Sequence, residues 1–116
     1  MKRIFEGKIA EILFETGYHF KIYYLPDNKM KFISLKKDEN FGYTETEDVI
    51  IDKISENIYA ISWVESTGLT VTQNIDLSKM SIYAVMTWHD DSKYGNRFIM
   101  SHRGTYKFIN DNDILI

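Results

Sequence analysis

The chain has no cysteine and a single proline in 116 residues. The missing thiols exclude a disulfide framework, thiolate zinc sites, iron–sulfur ligation and a cysteine nucleophile. One proline and six glycines provide no Pro- or Gly-rich linker, and no low-complexity tract or internal repeat interrupts the pattern. No segment reaches the roughly 18 consecutive apolar residues of a membrane span, so no membrane partner is expected. Positive charge is also scarce. Fourteen Lys and Arg stand against 17 Asp and Glu, for a net charge of -3 and a pI near 5.6. That sign argues against a nucleic-acid partner. The start, Met1-Lys2-Arg3-Ile4-Phe5-Glu6, is charged with no apolar stretch behind it, so no signal peptide and a cytoplasmic location are expected. G-x-S-x-G, P-loop and G-x-G-x-x-G motifs are absent, and no cofactor is expected.

What remains is apolar and aromatic: 44% hydrophobic residues, with aromatics at 15%. Residues 1–116 read as a single domain, long enough to bury roughly two thirds of its unfolded surface. Short alternating runs are separated by turn signals. Lys8 to Thr16 leads through Gly17 into Tyr18 to Leu25; Pro26-Asp27-Asn28-Lys29 then turns the chain, because Asp and Asn tolerate a tight backbone. Met30 to Leu35 alternates, Lys36 to Gly42 is a charged loop, and Tyr43 to Ile54 is one longer run. Ile58 to Glu65 follows, then Ser66-Thr67-Gly68, and Leu69 to Leu77 alternates strictly. Ile82, Ala84, Met86 and Trp88 share a face, and on the last strand Phe98, Met100, His102, Gly104, Tyr106 and Phe108 do the same. These are about eight strands with hairpin-length links, which predicts an all-β antiparallel meander. Closure into a small barrel removes the exposed edges most simply; a two-sheet sandwich is the alternative.

Two residues stand out chemically. Glu65 alternates with Tyr59, Ile61 and Trp63, while Ile58, Ala60, Ser62 and Val64 take the other face. Both faces are partly apolar, so periodicity alone does not decide which points inward. An inward Glu65 would have its pKa raised by burial and would suit proton transfer or ligand anchoring; an outward one is a solvated residue beside a turn. His102 lies on an otherwise apolar face and reads as a core histidine or, if it converges with Glu65, as a second acid–base group. No metal site is expected. His89-Asp90-Asp91 reads as a solvated turn, and Glu45, Glu47 and Asp48 as a charged strand face without a calcium-loop order.

The segment Tyr59-Ala60-Ile61-Ser62-Trp63-Val64-Glu65, with Ser66-Thr67, Gly68 and Leu69-Thr70-Val71-Thr72 after it, resembles the signature of the calycin-like barrels that include the phenolic acid decarboxylases and the MoaF-like proteins. Gly7, the turn Phe14-Glu15-Thr16-Gly17-Tyr18 and the pair Tyr43-Thr44 are similar to the same families. The resemblance runs over residues 5–88 and weakly over the last strand. It implies an eight-stranded lipocalin-like barrel with Trp63 and Glu65 facing inward. In the decarboxylases the glutamate works with two first-strand tyrosines and an arginine near the fourth strand. The matching positions here are Ile12, Phe14 and about Gly42, which argues against that activity and places the chain nearer the MoaF-like side. Without a phenol and a cation, decarboxylation loses its electrostatic support.

The expected interior is then lined by Ile12, Phe14, Phe20, Ile22, Trp63, Val71, Met86 and Trp88, with Glu65 and His102 as its polar groups. That composition suits a pocket for a small apolar or aromatic ligand. Two other readings stay open: an enzyme using Glu65 with His102 as general acid and base, and a filled barrel that dimerises through outward residues such as Ile58, Val64, Tyr83 and Val85.

Overall fold

The computed structural model describes residues 4–110; Met1, Lys2 and Arg3 of the charged start lie outside them. The strands are β1 (Ile9–Phe14), β2 (His19–Leu25), β3 (Lys29–Ser34), β4 (Thr44–Asp48), β5 (Ile50–Ser55), β6 (Ile58–Val64), β7 (Thr70–Asp76), β8 (Ser81–His89) and β9 (Arg97–Ile109), with one 3-10 turn at Tyr94–Asn96. Among the described residues no helix is long and apolar enough to cross a membrane.

All pairings are antiparallel, in the order β4-β3-β2-β1-β9-β8-β7-β6-β5. Alternating β-branched and aromatic residues favour the pleated backbone, and local turn chemistry sets each hairpin. Asp27 and Asn28 take φ of 63° and 57° behind Pro26, a left-handed pair that Asp and Asn tolerate. Gly68 turns the chain between β6 and β7 at φ 89°, where a side chain would strain the backbone.

Nine strands arise where eight runs are expected, because the run from Tyr43 to Ile54 is divided at Val49. Its first half pairs with β3 and its second half with β6. One bent segment therefore supplies both ends of the sheet, which brings β4 toward β6 and nearly closes the barrel. The remaining gap between β4 and β6 is a seam bridged by side chains, with Ser66 donating to Glu45 Oε1 from its hydroxyl at 3.0 Å.

The two ends of the barrel differ. At one end Phe5, which precedes β1, packs edge-on against Tyr59 and at a tilt against Tyr24, with ring centroids 5.1 Å apart in both cases. Below it Ala10, Ile12, Met30, Ile61 and Ile75 are fully buried. Each of these side chains larger than alanine contributes about 1.5–3 kcal/mol by leaving water. The Tyr24 and Tyr106 hydroxyls pair at 2.8 Å inside this plug, and burial pushes both phenols far above their ordinary range. Gly104 on β9 lies tight against β1; an added Cβ would come within 2.3 Å of the Leu13 carbonyl oxygen.

Candidate functional site

The opposite end, where β1, β3, β6 and β8 finish and β2, β4, β7 and β9 begin, encloses a cavity of about 400 Å³. Strand register explains its depth. Trp63, Val71, Met86 and Met100 form one interior row, and Ile61, Gln73, Ala84 and His102 form the next row toward the plug. Small Ala84 between Gln73 and His102 keeps this second row from filling the space.

Aromatic rings build much of the wall. Tyr18 stacks on Phe20 at 6.4 Å, Phe20 meets Phe14 at 6.3 Å and Phe32 at 6.0 Å, and Phe32 meets Tyr43 at 6.2 Å. Trp63 and Trp88 stand on other strands of the same cavity, and Ile22, Val71 and Met86 fill between.

The alternation on β6 is resolved: Tyr59, Ile61 and Trp63 are buried, Val64 is exposed, and Glu65 is half-buried on the cavity wall. Its Oε2 accepts a hydrogen bond from Trp63 Nε1 at 3.2 Å. Burial raises the Glu65 pKa, with the Glu45 charge adding to it, and the indole bond opposes them. His102 reaches the same cavity. It is 2% exposed, pairs through Nδ1 with the Thr16 hydroxyl at 2.8 Å, and has its pKa lowered by burial. Its Nε2 and the Oε1 of Gln73 are buried without a hydrogen-bond partner. Unpartnered buried polar atoms are uncommon, because each forgoes the hydrogen bonds water would give it.

Of the residues expected to line the interior, Phe14, Phe20, Ile22, Trp63, Glu65, Val71, Met86, Trp88 and His102 surround this cavity. Ile12 requires a correction. It faces inward but is fully buried in the plug and does not line the cavity, because its partner across β9 is Tyr106, beneath the level of His102. Gly42 lies in an exposed turn.

A second correction concerns β4. Glu45 and Glu47 are expected on a charged outer face, but the parity of Val49 and Ile51, both buried, continues back through Glu47 and Glu45 and turns them toward the seam. That shared parity was the sequence signal for it. Asp48 alone points out, to Lys29. Glu47 is 7% exposed and its Oε2 has no partner. Desolvation, the bond to Glu45 and the neighbouring negative charges raise its pKa to about 7. Tyr43 donates from its hydroxyl to Glu45 Oε2 at 2.8 Å and holds the Glu45 pKa down. Glu45, Glu47 and Glu65 each offer an oxygen within 4.8 Å of the others, a geometry able to hold a cation. His89, by contrast, pairs with exposed Asp91 at 2.8 Å, in a solvated turn. On the outer face Val64 is exposed, while Ile58, Tyr83 and Val85 are partly covered.

Compared with known proteins, residues 6–107 match a family model described as MoaF-like. Sixteen chains of solved structures match. One of them is a crystal structure provisionally described as a beta-lactamase, from Burkholderia vietnamiensis. It is 17% identical over 94% of this chain and 99% of its own, with a TM-score of 0.78. At that identity the likeness shows the fold alone. No curated protein matches the chain.

Proposed function

Because the chain belongs to the MoaF-like family and folds as a barrel plugged at one end only, we propose that it binds a small apolar or aromatic molecule inside, with Glu65 fixing that molecule's orientation. The carrying observation is the cavity of about 400 Å³, walled by aromatic and aliphatic side chains with few polar groups. Concave, mostly apolar space with a few placed polar groups is the usual make-up of a small-molecule site. The test uses naphthalene and indole as probes, following the indole N–H resonances of Trp63 and Trp88. Saturable shifts at both tryptophans are expected. A flat response to both probes and to their smaller analogues would overturn the reading.

A second reading is favoured by the shared cavity of Glu65 and His102. A carboxyl whose pKa burial raises and an imidazole whose pKa burial lowers, lining one cavity, can serve as general acid and base. For this reading, Glu65→Gln is expected to abolish turnover of a bound small molecule while the thermal melt stays within a few degrees of wild type. Turnover that survives the substitution removes it.

A further inference from the structure

We infer that the molecule this barrel accepts carries a positive charge: a small organic ammonium whose apolar body fills the aromatic cavity and whose cationic end meets Glu65 at the seam. This rests on the ligand-binding reading above and adds the chemical class.

Three observations converge. The first is the sign of the wall. Its ionisable groups include two acids, Glu65 and Asp38, and no lysine or arginine among the described residues. Asp38 already has a cation 3.9 Å away in Lys36, whose ammonium lies over the Tyr18 ring. Glu65 has none.

The second observation is what stands behind Glu65. Glu45 and Glu47 bring carboxylate oxygens within 4.8 Å of it, and no ion pair joins any of the three to a lysine or arginine among the described residues. Apart from the bond between Glu47 and Glu45, their partners among the described residues are neutral donors: the Tyr43 hydroxyl, Ser66 and the Trp63 indole. Glu47 Oε2 is buried with no hydrogen-bond partner among the described residues. Like charges gathered in a half-buried place are unfavourable unless a proton or a cation is shared among them.

The third is the aromatic wall itself. Tyr43 and Trp63 carry rings on the cavity wall and also donate to this carboxylate group. Ring faces attract a cation, and the attraction grows where water is excluded. An anionic ligand would meet repulsion at the seam, and a neutral one would leave the three carboxylates as they are.

A matched set of probes tests the charge apart from the binding: 2-naphthylmethylammonium, 2-methylnaphthalene and 2-naphthoate, titrated near neutral pH by calorimetry and by the Trp63 and Trp88 indole resonances. The ammonium is expected to bind at least about tenfold more tightly than the neutral isostere, with the carboxylate weakest. In Glu65→Gln the ratio of ammonium to 2-methylnaphthalene affinity is expected to shrink to about threefold or less. If Glu65→Gln does not fold, Glu45→Gln and Glu47→Gln carry the same comparison. Neutral and cationic probes binding equally to the wild type would overturn the charge assignment and leave the binding reading standing. If neither these probes nor benzylammonium, toluene and benzoate bind, both fall. Calcium or magnesium chloride supplies the last arm. Displacement of the ammonium by millimolar metal, with metal alone raising the melting temperature, would assign the seam to a metal ion and overturn the proposal.

Discussion

The two ends of this barrel are made from the same strands yet reach opposite solutions. The plugged end spends its interior on large side chains, and its buried hydroxyls, Tyr24 and Tyr106, satisfy each other. The open end keeps a cavity of about 400 Å³ and leaves Glu47 Oε2, Gln73 Oε1 and His102 Nε2 without partners. One end is built for stability, whereas the other forgoes stability to hold space and unpaired polar atoms. Natural proteins break packing and hydrogen-bonding rules mainly at functional positions.

Truncation gives the largest test of that contrast. Phe5→Ala removes a fully buried ring from contacts with Tyr24, Tyr59 and Phe108, and is expected to destabilise by about 3–5 kcal/mol. Trp88→Ala, a larger deletion on paper, acts beside existing empty space and is expected to cost less than about 2 kcal/mol. Urea denaturation of both variants decides it; equal losses would erase the distinction between the ends.

Gly104 sits where the two regions meet. An alanine there would press its Cβ to 2.3 Å from the Leu13 carbonyl oxygen and 2.8 Å from the Phe14 Cα, and backbone cannot swing away as a side chain can. Gly104→Ala is expected to lose about 2–3 kcal/mol, with amide shifts on both β1 and β9. A variant as stable as wild type would mean that the strands separate easily there.

Polar deletions sharpen the comparison further because they should differ in sign. Tyr24→Phe strands the Tyr106 hydroxyl in the plug and is expected to cost about 1–3 kcal/mol, whereas the double Tyr24→Phe, Tyr106→Phe change is expected to be milder than the single ones suggest. Gln73→Leu at the cavity floor removes an atom that already lacks a partner, and is expected to be neutral or stabilising by up to about 1 kcal/mol. Thermal melts of Tyr24→Phe, Tyr106→Phe, the double variant and Gln73→Leu against wild type check both signs. Destabilisation by Gln73→Leu equal to that of Tyr24→Phe would show that the floor is as tightly paired as the plug.

Most of the strands were legible because alternation and hairpin turns are local. Leu69 to Leu77 and the face shared by Met100, His102 and Tyr106 carry their parity openly. The division at Val49 was not legible, since which partner each half of Tyr43 to Ile54 pairs with depends on barrel closure, a long-range property. The site was half readable. Trp63 and Glu65 follow from parity together with family resemblance, whereas parity alone puts Ile12 in the lining, since it gives the side of a strand and says nothing of depth along the barrel. Glu45 and Glu47 are hidden for the opposite reason. Their charge suggested solvent, although Val49 and Ile51 on the same parity point inward.

The buried carboxyl of β4 carries the smallest predicted effect. Glu47 is protonated up to about pH 7 in the folded protein, while the unfolded chain releases this proton in the ordinary carboxylate range near pH 4.3. Between those limits the native state holds the extra proton, so stability contributed by Glu47 falls as pH rises and levels off above about 7. Glu65, also raised, acts in the same sense. Glu45, whose pKa is lowered, adds stability above the ordinary range and loses it on acidification. His102 opposes Glu47 directly: its lowered pKa means the unfolded chain takes up a proton first as pH falls, which weakens the fold on the acid side. The wild-type profile mixes these slopes, and the difference between wild type and Glu47→Gln isolates one of them. Glu47→Gln is expected to gain roughly 1 kcal/mol on wild type between pH 5 and 7, read from urea midpoints at each pH. A difference curve that is flat or slopes the other way would place Glu47 in solvent and remove the seam from the contrast between the two ends.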